Sequence, residues 1–432
     1  MKQRVRQGLY ILLAVVAFAL LVIVVINSQS PESLMTPPEA AGDYKDIQNI
    51  IEKSIGNEII LKAPNEGEYT TSITFIDLNS DDANDAVAFY RLKNDDTSAI
   101  YMSVLIKQNS KWIASEAVRG QGNDVLEFSY GDMDYDSVSE IIVGWNMFDS
   151  KDNNTLSVYT VSSEKSKAVV DESDSLIYTK MSVSDISGEG RKEILLLKNT
   201  YNDEDSPAKA TVYVFEDGSL SPISSLNIVP SVTEYKKLQT QLLGKKNIFF
   251  LDSVVESDSM ITEIFYWDNS KNKLVSATNS QNAYPQTLRK GTVCSTDINS
   301  DSIIEIPFEN ESIGKPYITL TDWKQFDMRE YKTVLHGVCT DELIFNFPEN
   351  WNGNVAVTKK GSVWSFYDIT SEENEKLFDL VAAGLSDWQR FSKEYDKLKI
   401  DYGTIYGVKL ALTKSKLALN KNEIAKAIVN IR

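Results

Sequence analysis

The hydrophobic positions change their spacing twice along the chain. Gly8–Ile26 is an unbroken apolar run, which is typical of a helix that crosses the ~30 Å hydrocarbon core of a bilayer. Four isoleucines then recur at helical spacing between residues 43 and 57, which predicts a short amphipathic helix. From residue 58 onwards, short apolar stretches alternate with polar turns. This pattern predicts a mainly β body.

The amino-terminal end predicts a single membrane anchor. Residues 1–7 carry Lys2, Arg4 and Arg6 and no acid, so the positive-inside rule keeps this tail in the cytoplasm and places the body outside. A cleaved signal peptide is the alternative, but the apolar run exceeds the usual ~7–15 residues and the residues after it make a poor cleavage site. Residues 27–42 are small, polar and proline-containing, as expected of a flexible linker.

Four acidic loops repeat at a nearly constant interval. They begin at Asp77, Asp132, Asp185 and Asp297, with steps of 55, 53 and 112 residues. The long step predicts a further copy near residue 240. The sequence GKKNIFFL from Gly244 lies there, aligned with GRKEILLL from Gly190, although its acidic residues are lost. The chain therefore contains a repeat of about 54 residues.

The elements around each loop recur as well. A short strand precedes the loop (residues 292–296 before the last one). An apolar strand, a strand rich in aromatic and β-branched residues and a fourth strand follow it. Five such units over residues 70–340 predict a five-bladed β-propeller, preceded by a helix and lead-in strand in residues 43–69. A sixth unit that includes residues 58–69 is the alternative count, and an open β-solenoid is the alternative architecture.

The repeat ends near residue 340, and residues 341–432 predict a small α+β domain. Two hairpins and two further strands are expected, with a helix that starts at Ser386 and another over residues 420–432. Trp351, Trp364 and Trp388 suggest either glycan stacking or aromatic core packing, of which core packing is favoured.

The acidic loops and their spacing resemble the FG-GAP/VCBS repeats of integrin-α-type propellers over roughly residues 70–310. In that family the loop D-x-D-x-D-G-x-x-D/E joins the first two strands of a blade and binds calcium. The resemblance implies a cell-surface protein of a Gram-positive bacterium. The stretch F-x-x-P-x-x-W from Phe345 to Trp351 loosely resembles the start of carboxy-terminal modules of other envelope proteins in these bacteria.

Calcium takes about six to eight oxygen ligands, which acids at alternate loop positions can supply. The candidate ligands are Asp77, Asn79, Asp81 and Asp85; Asp132, Asp134, Asp136 and Glu140; Asp185, Ser187, Glu189 and Glu193; and Asp297, Asn299, Asp301 and Glu305. The family's glycine at the sixth position is kept only as Gly190. Structural calcium sites and metal-free polar turns therefore remain alternatives, with the Asp132 loop the best candidate.

Charge and composition narrow the function. A formal charge of −18 argues against sequence-independent binding to nucleic acid, which needs a basic face. The chain has one histidine, His336, and two cysteines, Cys294 and Cys339. These are too few for a zinc cluster, and they leave almost no side chains for histidine-based catalysis. Free thiols are favoured over a disulfide between the two cysteines.

The expected function is binding rather than catalysis. The chain shows no phosphate-binding loop, HExxH or GxSxG motif, so we predict a non-enzymatic, membrane-anchored protein outside the cell that recognises an envelope protein or cell-wall glycan. A cell-wall glycan hydrolase with an unrecognised carboxylate pair is one alternative, and a structural subunit of an envelope assembly is another.

Overall fold

The computed structural model describes residues 42–95, 97–147, 153–164, 167–200, 207–230, 232–256, 258–278 and 285–429. The predicted cytoplasmic tail (1–7), membrane helix (8–26) and all but the last residue of the linker lie outside these ranges. In the part of the chain that is described, no helix is both long enough and apolar enough to cross a membrane. The chain forms two compact units, Met1–Asn57 and Glu58–Arg432.

The described part of the first unit is helix α1 (Gly42–Ile55). Ile47 and Ile51 are buried, while Ile50 and Ile55 are half-buried, so the apolar stripe lies where the isoleucine spacing indicates.

The second unit is mainly β, as the pattern predicts, and its described residues form six antiparallel sheets. The first sheet contains β1 (Ile59–Leu61), β2 (Ile73–Ile76), β3 (Asp85–Leu92), β4 (Tyr101–Gln108), β5 (Lys111–Ala114) and β6 (Val118–Arg119). The second contains β7 (Asp124–Gly131), β8 (Glu140–Asn146), β9 (Asn154–Glu164) and β10 (Lys167–Tyr178). The third contains β11 (Lys180–Ser184), β12 (Glu193–Lys198), β13 (Lys209–Glu216) and β14 (Ser219–Asn227). In the second and third sheets, neighbouring strands follow one another along the chain.

The later sheets are more elaborate. The fourth contains β15 (Glu234–Leu243), β16 (Lys246–Glu256), β17 (Ser259–Asp268), β18 (Lys273–Ser276) and β19 (Arg289–Lys290). The fifth contains β20 (Glu305–Asn310), β21 (Leu320–Phe326), β22 (Tyr331–Cys339) and β23 (Ile344–Asn346). The sixth contains β24 (Val355–Lys360), β25 (Val363–Asp368), β26 (Glu375–Gly384), β27 (Asp396–Asp401) and β28 (Thr404–Leu410), in the order β24-β25-β26-β28-β27.

The carboxy-terminal end returns to the fifth sheet. Helix α2 (Lys421–Ala427) leads into β29 (Ile428–Val429), and β29 pairs with β23. The predicted division at residue 340 stays a prediction. In the structure, strands from beyond that position complete the fifth sheet, and the same core continues into the sixth.

Each sheet packs on the next in chain order. Separate apolar clusters join the first sheet to the second, the second to the third, the third to the fourth, the fourth to the fifth and the fifth to the sixth. Trp351 and Trp364 are fully buried in the last of these clusters, and Trp351 Nε1 donates to Leu417 O at 2.9 Å. Neither ring is therefore open to a glycan, and core packing is the correct interpretation for both.

Three local predictions were wrong. Residues 292–296 form no regular strand and contribute only a bridge between Thr296 and Glu305. The reason is that the N–H and Oγ of Ser295 both donate to the buried carboxylate of Asp252, at 2.9 and 2.6 Å, which takes the place of a strand partner.

The other two errors concern helices. The segment that starts at Ser386 makes only a 3₁₀ turn (Trp388–Arg390), because Asp387 provides no side-chain cap and the chain enters β27 at Asp396. The last helix ends at Ala427 rather than Arg432, because Ile428 and Val429 enter the fifth sheet.

The polar residues outside the repeat pattern are engaged structurally. His336 Nδ1 lies 2.7 Å from Asp322 Oδ1, which also accepts from Asn310. Cys294 and Cys339 are free, partly buried thiols, and burial raises their pKa values to about 11 and about 12.

Helix α2 offers a direct test of the carboxy-terminal end. Asn420 accepts from the N–H groups of Asn422 and Glu423, and Glu423 accepts from the N–H of Asn420, which is a capping box. We expect Asn420→Ala to lower the free energy of unfolding by about 1 kcal/mol, measured from urea midpoints. Asn422→Ala is the matched control, since its side chain caps nothing, and an equal loss in both variants would contradict the capping role.

Candidate functional site

The four acidic loops share one backbone conformation. The first joins β2 to β3, the second and third each connect the first two strands of a sheet, and the fourth leads into β20. The fourth loop position has a positive φ in every copy, at Ser80, Tyr135, Gly188 and Ser300. The sixth position does so too, with φ values of 62°, 69°, 94° and 69° at Asp82, Ser137, Gly190 and Ser302. The turn is thus the same whether its sixth residue is glycine, serine or aspartate.

The first aspartate of each loop stabilises this turn. Its carboxylate accepts the N–H of the sixth residue in all four copies. The distances are 3.0 Å for Asp77, 3.0 Å for Asp132, 3.1 Å for Asp185 and 2.8 Å for Asp297. The residue with positive φ is therefore held by a charge-assisted hydrogen bond, which offsets part of its conformational strain.

The last acid of each loop is buried. Asp85, Glu140, Glu193 and Glu305 are at most 2% exposed, and each accepts the N–H of the second loop residue at 2.7 to 3.1 Å. That second residue is itself apolar and buried, as Leu78, Met133, Ile186 or Ile298. Burial raises the pKa of all four acids, and raises that of Glu140 to about 7.

The Asp132 loop alone gathers three carboxylates. Asp132, Asp134 and Asp136 each present an oxygen within 4.8 Å of the others, and the described residues contain no second group of three such ligands. Burial and then the charge of Asp136 raise the pKa of Asp134. A set of hard, mutually repelling oxygens at this spacing is what a divalent cation such as calcium requires, so these residues suit the ion.

The other three loops meet this requirement less well. Asn79 and Asn299 turn their amide groups toward the neighbouring acid, donating to Asp81 at 3.1 Å and to Asp301 at 3.0 Å. These donors occupy oxygens that a cation would otherwise take. In the third loop, Ser187 Oγ donates to Glu193, and Glu189 is exposed. These residues lie together in turns, and the sequence did not show how their amide and hydroxyl groups are oriented.

The degenerate copy has no loop at all. Gly244 and Lys245 form a two-residue turn between Leu243 and Lys246, which pair directly. Gln241 Oε1 accepts the N–H of Ile304 at 2.7 Å, and Asn247 Nδ2 donates to Asp185 O at 2.7 Å. The fourth sheet thus keeps hydrogen bonds to the loops on both sides of it.

Neighbouring loops are linked in series. The N–H of Ser139 donates to Leu78 O at 2.7 Å, and Ser80 Oγ donates to Ser137 O at 2.9 Å, which joins the first loop to the second. Tyr135 Oη donates to Glu189 O at 3.2 Å and joins the second loop to the third. The first three loops therefore form one connected surface, on which the Tyr135 ring is 56% exposed.

An inner cavity lies between the first strands of the second, third and fourth sheets. It measures about 460 Å³, and its walls are formed by β7, β11, β15 and the turn at residues 66–68. Ser182 Oγ lies 3.2 Å from Thr240 Oγ1, so β11 and β15 touch beside it. Lys180 Nζ forms an ion pair with Glu66 at 2.9 Å across the wall.

Glu127 is the central carboxyl of this cavity. Tyr178 Oη donates to Glu127 Oε1 at 3.0 Å, and burial, followed by the charge of Glu66, raises the pKa of Glu127 to about 8. Gly144 lies opposite Glu127 in the register, and a Cβ there would come within 2.0 Å of Tyr178 Oη. The glycine therefore makes room for the pair.

Sequence reasoning missed this cavity. Glu127 stands between two apolar residues of a strand and looks like an ordinary outward-facing position. The only signal is Gly144 inside the apolar second strand, since a glycine there often marks a close approach.

Comparison with known proteins adds little to this geometry. No protein-family model matches the sequence, and no curated protein matches it. A solved structure described as "Structure of Dos1 propeller" aligns with 74% of this chain and 78% of that chain, at 8% sequence identity and a TM-score of 0.31.

The shared turn predicts opposite effects on stability for two substitutions at its sixth position, Gly190→Ala and Ser137→Gly. Gly190 has a φ of +94° and open space around its Cα, so Gly190→Ala should lower the free energy of unfolding by about 1 kcal/mol through strain alone. Ser137→Gly should leave stability unchanged or raise it slightly. Gly314→Ala is the control, because Gly314 also has open space but no positive φ. Urea midpoints measure all three, and no loss in Gly190→Ala would show that the turn does not require this conformation.

Proposed function

We propose that this protein is a membrane-anchored binding protein that acts outside the cell. In this proposal, residues 8–26 are the anchor, and the second unit is a β-propeller of the FG-GAP/VCBS type that recognises an envelope protein or cell-wall glycan. Two features support the propeller. The sheets pack on one another in chain order, and the first strands of three of them border one cavity.

The connected loop surface is the observation that carries the binding proposal. Backbone and side-chain hydrogen bonds tie the first loop to the second and the second to the third, while exposed groups such as Tyr135, Asp136 and Asp82 face solvent. A surface that is already rigid loses little conformational freedom when a partner binds. An exposed tyrosine among polar groups is also the kind of residue that interfaces favour.

Calcium would act structurally in this proposal. Asp132, Asp134, Asp136 and Glu140 are the residues that would hold it in the best loop. The corresponding residues of the Asp77, Asp297 and Asp185 loops are weaker candidates. When bound, the ion would supply positive charge that offsets the repulsion among the loop carboxylates.

The metal proposal predicts a calcium-dependent melting temperature. We expect the full-length protein in detergent to melt several degrees higher in millimolar calcium than in chelator, because an ion that binds only the folded state stabilises it. Asp134→Asn combined with Asp136→Asn should abolish most of the shift. Two exposed acids outside the loops, Asp217 and Asp258, give a control with the same change in charge, Asp217→Asn with Asp258→Asn. A shift that survives the loop substitutions would contradict this site.

The binding proposal is tested by capture on the loop surface. Full-length protein immobilised through its carboxy terminus is incubated with solubilised envelope, and retained protein and glycan are identified. We expect a specific partner whose retention falls at least tenfold in Tyr135→Ala, since exposed aromatic residues at interfaces often contribute about 1.4 kcal/mol or more. Tyr402→Ala, which removes another exposed tyrosine far along the chain, should retain the partner. Loss in neither variant would place recognition elsewhere.

A second candidate function, glycan hydrolysis, is favoured by the inner cavity. Burial raises the pKa of Glu127 to about 8, and Glu66 forms an ion pair with Lys180, so the cavity holds two carboxyl groups in different environments, as the acid and the base or nucleophile of a glycosidase are. Release of reducing ends from peptidoglycan by the wild-type protein, and its loss in Glu127→Gln, would support this candidate. No release by the wild-type protein would dismiss it.

A further inference from the structure

The inner cavity has features of a built site rather than a gap between sheets. Its volume of about 460 Å³ falls in the range of roughly 300–1,000 Å³ that small-molecule sites occupy. Two of its three strands carry a β-bulge next to a charged residue. The register shifts between Val125 and Glu127 in β7, and between Tyr235 and Lys237 in β15. Bulges of this kind redirect side chains beside functional sites.

The bulge in β15 presents two lysines to the cavity. Lys236 has no partner in the register, and both Lys236 and Lys237 line the wall and are exposed. Among the described residues, Lys236 has one ion-pair partner, Glu234, at 4.0 Å, and Lys237 has none. Lys180 on the neighbouring strand is already paired with Glu66. The two lysines are therefore available for a ligand.

The remaining charge of the cavity does not cancel these lysines. The groups that face Glu127 are Glu66, Tyr178 and Lys180. Because Glu127 has a pKa of about 8, it is mostly neutral at pH 7. Among the described residues, Glu68 is then the one acid of the wall without a cationic partner within ion-pair distance. Tyr178 donates to Oε1, so a proton on Oε2 is free to be donated to a ligand.

The rest of the wall is suited to a hydroxylated ring. Ser182, Ser184 and Thr240 contribute hydroxyl groups, and Ser184 Oγ is buried without a hydrogen-bond partner. Val183 and Leu238, which are half-buried, contribute apolar surface. A sugar-like ring forms hydrogen bonds along its edge and packs its faces on apolar surface, and this wall offers both kinds of contact.

We propose that the inner cavity binds a small hydroxylated carboxylate of the sugar-acid class, with Lys237 and Lys236 paired to the carboxylate and Glu127 donating a hydrogen bond to the ligand. The inference goes beyond the proposed function, because the partner there meets the loop surface, and it concerns binding whether or not a bond is then broken. A protein with a net charge of −18 would repel such an anion at most other places, so a cavity of opposite local sign is selective for it.

Three sugars of the same ring size and different charge test the proposal. Glucuronate, glucose and glucosamine are titrated into the full-length protein by calorimetry at pH 7 and low salt. We expect glucuronate to bind more tightly than glucose, and glucosamine to bind most weakly. Equal binding of glucuronate and glucose, preference for glucosamine, or no binding of glucuronate at millimolar concentration would each overturn the proposal.

Two sets of variants locate the site. Lys237→Gln should weaken glucuronate binding about two- to fivefold, the effect of a half-exposed ion pair, and leave glucose binding unchanged. Lys273→Gln makes the same change in net charge at an exposed position of β18 and should leave both unchanged. Equal loss of glucuronate affinity in Lys237→Gln and Lys273→Gln, or no loss in either variant, would overturn the assignment of Lys237 to the site.

The pH dependence gives a readout that a merely structural role would not move. Glucuronate affinity should fall as the pH rises through about 8, because Glu127 ionises and then repels the carboxylate. Glu127→Gln keeps a neutral donor, so its affinity should stay level between about pH 7 and pH 9. A wild-type affinity that is independent of pH, or an equal fall in Glu127→Gln, would overturn the role of Glu127. Capture of a partner on the loop surface is unaffected by these variants, so failure here leaves the proposed function intact.

Discussion

The buried carboxylate that closes each acidic loop is the interaction on which the architecture depends. Asp85, Glu140, Glu193 and Glu305 each begin the strand that follows their loop, and each accepts the N–H of an apolar loop residue that packs into the core. Without that acceptor, a buried N–H would cost about 1–3 kcal/mol in each copy. The acid therefore persists for a reason that does not require a metal.

The sequence predicted the strands of the repeat well, because a half-buried strand has a period that local residues alone determine. It failed where a distant side chain replaced a backbone partner. Asp252 accepts from Ser295 and so removes the expected strand at residues 292–296. It also failed at the carboxy terminus, where Ile428 and Val429 join a sheet whose other strands end more than 80 residues earlier. Neither contact changes the local hydrophobic periodicity from which strands are predicted.

The candidate sites were predictable to different depths. The loop residues that repeat every 54 positions do lie together, because their spacing encodes the turn. Whether a loop can hold a cation depends on side-chain orientation. The side-chain amides of Asn79 and Asn299 donate to carboxylate oxygens that a cation would otherwise take. The inner cavity was not predictable, since it arises from two bulges and one glycine on different strands, each unremarkable in its own segment.

The degenerate fourth copy distinguishes the contacts that the architecture needs from the additional properties of individual loops. It has lost the acids and the loop itself, and yet Gln241 and Asn247 still bond to the loops on either side. The constant requirement is thus contact between neighbouring sheets at this end of the molecule, and neutral amides satisfy it. Cation binding, which we propose for the Asp132 loop, would then be an additional property of a loop in which three carboxylates lie close together. Because the first strands carry no such shared requirement, they are free to differ from sheet to sheet. Glu127, Lys180 and the Lys236–Lys237 pair show that difference around a common cavity.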